Sequence, residues 1–283
     1  MPVSSRNVSF FRSLAVAGSA CLVWFSSDVN AWIQRAWDVL RESRVFRHDS
    51  FEPLLVTASV AVFSVFFRVL DTRFTSELKA WRINESDDMS HWKFEGGKRL
   101  RGEFLWYWAV LGIFDFLYPR RKLPLGAPTL AQIAVEVLGA LFLYDHFFFW
   151  VHLALHKVPF LYKNVHSKHH TKKVMRAWES WRLTFFEQAA DVACSIAALN
   201  VPKCHPLSRA IYNIIVVYLI TELHSGYDMP WMLQNIIPCG LWGGSRRHDF
   251  HHRYGGLYYQ KFFTYMDNII VRLQNQGPKN SIQ

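Results

Sequence analysis

Residues 129–170 read TLAQIAVEVLGALFLYDHFFFWVHLALHKVPFLYKNVHSKHH, and the histidines at the end of this stretch decide how the rest is read. Thr129 to Leu155 is the longest largely apolar segment of the chain, interrupted by Glu136, Asp145, His146 and His152. Pro124 and Pro128 stand just before it, which predicts a loop followed by a long helix. His152 and His156 are four residues apart and share one face of that helix. Asp145 lies two turns before His152 on the same face, whereas His146 points to another side and is left out of the site. The stretch closes on His166-Ser167-Lys168-His169-His170, an H-x-x-H-H triplet. The same triplet recurs at His248-Asp249-Phe250-His251-His252.

Imidazole is the commonest side-chain metal ligand. Positions i, i+3 and i+4 place all three histidines of each triplet on one face of a helix. With His152 and His156 they make eight candidate ligands, and His224, at the end of another apolar segment, is a ninth. A closed zinc site needs four ligands, so this set provides for two ions. Donors without thiolate, and almost without carboxylate, argue against iron–sulfur clusters and magnesium and suit iron, zinc, copper or nickel. Two divalent ions among neutral imidazoles leave excess positive charge. Asp145, Glu222 and Asp249 are the acids placed to offset it or to accept a ring N–H from a ligand. Such a centre at a membrane edge points to redox chemistry with dioxygen more than to hydrolysis, and no serine has the partners of a nucleophilic triad.

Composition agrees with a membrane setting. The chain is 51% hydrophobic and 16% aromatic, and its 19% of charged residues is below the usual quarter. Apolar runs fall at Leu14–Phe25, Leu54–Phe67, Phe104–Phe114, Thr129–Leu155, Phe185–Val201 and Ala210–Ile220, and alternating strand patterns are almost absent. The expectation is an all-α integral membrane protein with about four transmembrane helices and a cytosolic helical region holding the histidines. Residues 1–50 read as an N-terminal segment with a signal-like, anchor or interfacial helix. Residues 51–283 read as the catalytic membrane domain, with the histidine motifs within about 129–270. The net charge is +10, and the basic clusters abut apolar runs. That favours positive loops on the cytosolic side, facing an anionic leaflet, over a nucleic-acid partner. Cys21, Cys194, Cys204 and Cys239 show no paired spacing and predict no disulfide framework. A metal transporter would spread ionisable residues along a membrane path, whereas these histidines cluster at helix ends and loops.

FFFWVHLALH (147–156), KVPFLYKNVHSKHH (157–170), HSGYDMPW (224–231) and HDFHH (248–252) together resemble the fatty acid hydroxylase superfamily of membrane di-iron oxygenases. Within it the likeness is greatest to the sterol hydroxylases, with 4-methylsterol oxidases close by. The resemblance implies a multi-pass, four-helix fold with its site on the cytosolic face of the endoplasmic reticulum. It implies two iron ions, which zinc can replace in a purified sample, together with O2. Electrons would come from NADH or NADPH through a separate reductase and a cytochrome b-type carrier protein. The implied ligands are His152, His156, His166, His169, His170, His248, His251 and His252, with His224 in addition. Asp228 stands where some fatty-acyl members carry a further histidine, which favours a sterol substrate. The implied activity is hydroxylation of an unactivated C–H bond of a sterol. Oxidation of a 4-methylsterol and hydroxylation of a fatty-acyl or alkylglycerol lipid stay open as alternatives. Substrate is expected to enter from the membrane along Phe147 to Trp150, Trp178, Trp181, Phe185 and Phe186.

Overall fold

The computed structural model describes residues 4–84, 123–171 and 175–276, with a few positions between 108 and 117. The longer helices are α1 (Ser5–Trp24), α2 (Ser26–Glu42), α3 (Phe51–Arg73), α4 (Leu130–Lys157), α5 (Phe185–Asn200), α6 (Pro206–Leu223), α7 (Gly244–Tyr254) and α8 (Tyr265–Gln276). Among the described residues there is no strand, apart from isolated bridges between Arg82 and Tyr227 and between Trp242 and Phe263. α1, α3, α4 and α6 are long and apolar enough to cross a membrane. Most of the expected run at Phe104–Phe114 lies outside the described residues. α5 has 16 residues, about 24 Å at 1.5 Å per residue, which is shorter than a bilayer's hydrocarbon core.

Local chemistry sets the helix ends. The Thr129 hydroxyl accepts the Gln132 N–H at 3.1 Å and starts α4. Pro206 occupies the first turn of α6, and the His205 ring accepts the Leu207 N–H at 3.1 Å. α7 ends where Gly255 takes φ 70°, a left-handed position that glycine adopts without a Cβ clash.

α3, α4 and α6 run parallel. Glu52 at the start of α3 grips Arg209 at the start of α6 through two contacts of 2.9 and 3.0 Å. Further along, Phe63 meets Tyr218 edge-on at 5.2 Å. Glu136 of α4 accepts the His205 N–H at 3.0 Å, beside the same end of α6. α5 returns the other way: Glu187 in its first turn lies at the histidines and Asn200 at its end reaches Arg209. The core between these helices includes Ala140, Tyr144, Val192, Ala198, Val216 and Ile220. The chain order therefore delivers the C-terminal ends of α4 and α6 to one end of the bundle, where the histidines sit.

α2 packs against the far end. Its Trp37 is fully buried, donates to the Pro124 carbonyl at 3.0 Å and meets His205 edge-on at 4.7 Å. α1 buries none of its residues. At the histidine end, Asp71 of α3, Arg82 and Tyr227 form a buried cluster. Arg82 pairs with Asp71 and lies 4.1 Å over the Tyr227 ring, and the Tyr227 hydroxyl donates to Asp71 at 2.8 Å. This ties the end of α3 to the segment that follows His224.

Candidate metal centre

The nine histidines singled out in the sequence meet in two adjoining groups, His152, His156, His166, His170 and His251 in one, and His169, His224, His248 and His252 in the other. Within each group one ring nitrogen per residue lies within 4.8 Å of all the others. α4 supplies two rings, the segment 162–171 three, the C-terminal end of α6 one and α7 three. α7 presents its triplet from one helical face, as expected. The first triplet does not lie on a regular α-helix. His166 ends a π-type turn (Tyr162–His166), and His169 begins a 3₁₀ turn (His169–Thr171). His166 and His170 go to one group and His169 to the other, the same division of i and i+4 from i+3 that regular α7 makes between His248 with His252 and His251.

The hydrogen bonds fix which nitrogens are bare. In the first group, Nδ1 of His152 faces the Tyr259 carbonyl and Nδ1 of His251 the Leu257 carbonyl, each at 2.7 Å. A carbonyl accepts and never donates, so both rings carry their proton on Nδ1 and leave Nε2 as a lone pair. Those two Nε2 atoms are 3.1 Å apart. Two lone pairs at that distance repel, and no proton is available to join them. A cation between them converts the repulsion into coordination. Nε2 of His166 is 3.1 Å from that of His152 and 2.8 Å from that of His156. In the second group, Nδ1 of His224 donates to the Ile220 carbonyl at 2.9 Å, so its Nε2 is bare too. That Nε2 is 2.9 Å from Nε2 of His248 and 3.3 Å from Nε2 of His169. The groups touch where His170 and His252 stack, ring centres 4.4 Å apart. A buried, all-imidazole donor set of this kind fits two divalent transition ions.

Burial pushes the ring pKa values down. His166 falls to about 2, His224 to about 3 and His170 to about 4. His169, His248, His251 and His252 lie well below the usual 6.5, first from burial and then from neighbouring imidazoles. All these rings are neutral at pH 7 and free to ligate.

The acids expected around the ligands stand elsewhere. Asp145 accepts the backbone N–H groups of Lys261, Phe262 and Phe263 and the Gln260 amide at 2.8–3.0 Å, so it anchors the 260–263 loop to α4 and touches no ligand ring. Glu222 accepts from Tyr218 at 2.7 Å. Asp249 takes Asn84 and Arg253 at 2.9 and 2.8 Å. The reason is shared: a buried carboxylate must find donors, and loop amides, a phenol, a side-chain amide and a guanidinium supply them. The acid that does meet a ligand is Glu187, 2.7 Å from Nδ1 of His166. Burial pushes its carboxyl well above the usual range, while a divalent ion beyond the ring works in the opposite direction. Sequence reasoning passed over Glu187, although an acid in the first turn of the apolar helix Phe185–Asn200 is the kind of signal that had singled out Asp145. His146 lies outside the site as expected, against Tyr265 at 2.9 Å.

A cavity of about 380 Å³ opens beside the rings, lined by His152, His166, His169, His224 and His248 together with Trp181. Of the aromatic residues expected to guide substrate, Phe148 and Trp181 line this cavity, whereas Trp150 and Phe186 point outward.

Comparison with known proteins gives the same family as the histidine pattern. The family described as fatty acid hydroxylase matches residues 137–271. Cholesterol 25-hydroxylase of Mus musculus is 30% identical over 258 residues, covering 86% of this chain and 83% of that protein. The Homo sapiens protein of the same name is 28% identical over 261 residues, 88% of this chain and 93% of its own. That of Rattus norvegicus is 36% identical over 160 residues, 54% and 51% of the two chains. No solved structure matches. On the shared histidine region and on this breadth of similarity, the chain belongs to the fatty acid hydroxylase family.

Proposed function

We propose that this protein hydroxylates the hydrocarbon tail of a sterol, as the names of its mammalian relatives describe for cholesterol, at a pair of iron ions held by the nine histidines. The observation that carries the reading is the facing bare nitrogens of His152 and His251, repeated around His224, beside a cavity inside a membrane bundle. Bound iron would supply the activation of O2. The net change is one oxygen atom into a C–H bond and the other into water, with two electrons and two protons consumed. The electrons come from NADH or NADPH through a separate reductase and a cytochrome b-type carrier, as the family likeness implies. The protein's own part is to hold the rings in one protonation state, through the Tyr259, Leu257 and Ile220 carbonyls and Glu187, and to keep water from the reacting carbon.

The parallel course of α3, α4 and α6 puts Lys157, Lys163 and Lys168 beside the histidine end, which favours the cytosolic face of the endoplasmic reticulum membrane. α1, with no buried residue, serves as a membrane anchor ahead of the catalytic domain 51–283.

Mass spectrometry of sterols from cells expressing this chain, beside cells expressing His169→Ala, tests the reading. A side-chain hydroxysterol present with the wild type and absent with the variant is the expected result. An oxidised 4-methylsterol, or a hydroxylated fatty-acyl or alkylglycerol lipid with sterols unchanged, replaces the reading with the corresponding alternative.

A further inference from the structure

A second cavity lies between α3, α5 and α6 and shares Trp181, Asp191 and Ile220 with the cavity beside the histidines. Its long wall is one stripe of α6: Arg209, Asn213, Val216 and Ile220 face it in steps of four, three and four, and His224 continues the stripe four residues on. Eleven residues separate Asn213 from His224, about 16 Å along the helix at 1.5 Å per residue. That is comparable with the length of an extended sterol from its ring hydroxyl to its branched tail.

The polar groups are unevenly placed. Val192, Val216, Val217 and Ile220 give the middle an apolar surface. At the end away from the histidines, Arg209 is held by both oxygens of Glu52 and by Asn200 at 2.9 Å, so the charges there cancel. Asn213 is different. It is 6% exposed, lines the cavity, and among the described residues its amide has no hydrogen-bond partner. An amide that opens onto a cavity is satisfied by what fills it. A neutral end with one amide suits a hydroxyl and offers no unbalanced cation for a carboxylate.

Resting on the sterol reading above, we propose that this cavity binds the substrate tail-first, with the ring hydroxyl on the Asn213 amide and the tail passing Trp181 and Ile220 to the imidazoles. Asn213 is then the residue that selects a hydroxylated sterol and sets which end is oxidised. A methyl group on the carbon next to the ring hydroxyl stays at the far end, out of reach of the metal centre.

The test uses the full-length, metal-loaded protein in lipid nanodiscs, with equilibrium binding of tritiated cholesterol and competition by 5α-cholestane, the same skeleton without the hydroxyl. The wild type is expected to prefer cholesterol by about tenfold, the scale of one buried hydrogen bond. Asn213→Leu should lose that preference and keep its affinity for cholestane and its metal content, while Asn213→Gln retains part of the preference. Equal binding of the two sterols by the wild type overturns the proposal, and this needs no variant. An unchanged preference in Asn213→Leu overturns it also, and Asn213→Ser replaces that variant if it fails to fold. A sterol oxidised in cells at a ring methyl would overturn the orientation and leave the sterol substrate standing. No sterol bound and none oxidised would overturn both.

Discussion

At the scale of single residues, the centre is defined by where each imidazole keeps its proton. His152, His251 and His224 are fixed by carbonyls and His166 by Glu187. Outer partners of this kind orient ligands and raise their basicity. Glu187→Leu strips His166 of its Nδ1 acceptor, and metal affinity measured by chelator competition is expected to fall about 10–100-fold, with Glu187→Gln recovering part of it. Unchanged affinity in Glu187→Leu would contradict this role. Nine ligand candidates were legible in the sequence because bunched imidazoles have few other uses. Their outer partners were not. Three of them are backbone carbonyls, whose positions no side-chain pattern records, and Asp145 proved to serve the 260–263 loop because four donors there compete for it.

At the scale of elements, the apolar runs at Leu54–Phe67, Thr129–Leu155 and Ala210–Ile220 mark the positions of α3, α4 and α6, whose helices extend beyond each run to a length that can cross a membrane. The backbone that carries the first triplet, a π-turn followed by a 3₁₀ turn, was not legible, because the i, i+3, i+4 spacing suggests a regular helix. The contact that holds α3 to the segment after His224 also emerged only in three dimensions, because Asp71 and Tyr227 are 156 residues apart. Asp71→Ala leaves Arg82 buried and uncompensated, and is expected to cost about 3–5 kcal/mol. The loss would show as a lowered unfolding midpoint in detergent. A midpoint equal to that of the wild type would mean that the cluster does not secure this end of α3.

At the scale of the whole molecule, the bundle joins two environments. A cavity between α3, α5 and α6 adjoins the one beside the neutral imidazoles, and on the proposal above a sterol reaches the histidines through it. Burying so many histidines has a consequence for stability. Unfolded imidazoles take up protons near pH 6.5, whereas the buried rings, with pKa values pushed as low as about 2 to 4, do not. Below pH 6.5 the unfolded state therefore binds more protons, and the metal-free protein loses stability as pH falls. The loss continues down to the folded values, with His170 the first of these three to protonate in the native state. Metal-free protein is expected to melt at a lower temperature at about pH 5 than at about pH 7.5. PH-independent melting across that interval would show that the rings are not held neutral.

The central claim is that the two groups of histidines each hold an ion. Metal content per chain, measured by inductively coupled plasma mass spectrometry on purified protein, tests it most directly, with alanine variants of His152 and His251 in one group and His224 and His248 in the other. The account predicts about two ions per chain, falling to about one when either group is broken, since each group is a separate ligand set. No bound metal in the wild type, or full metal content in these variants, would contradict it.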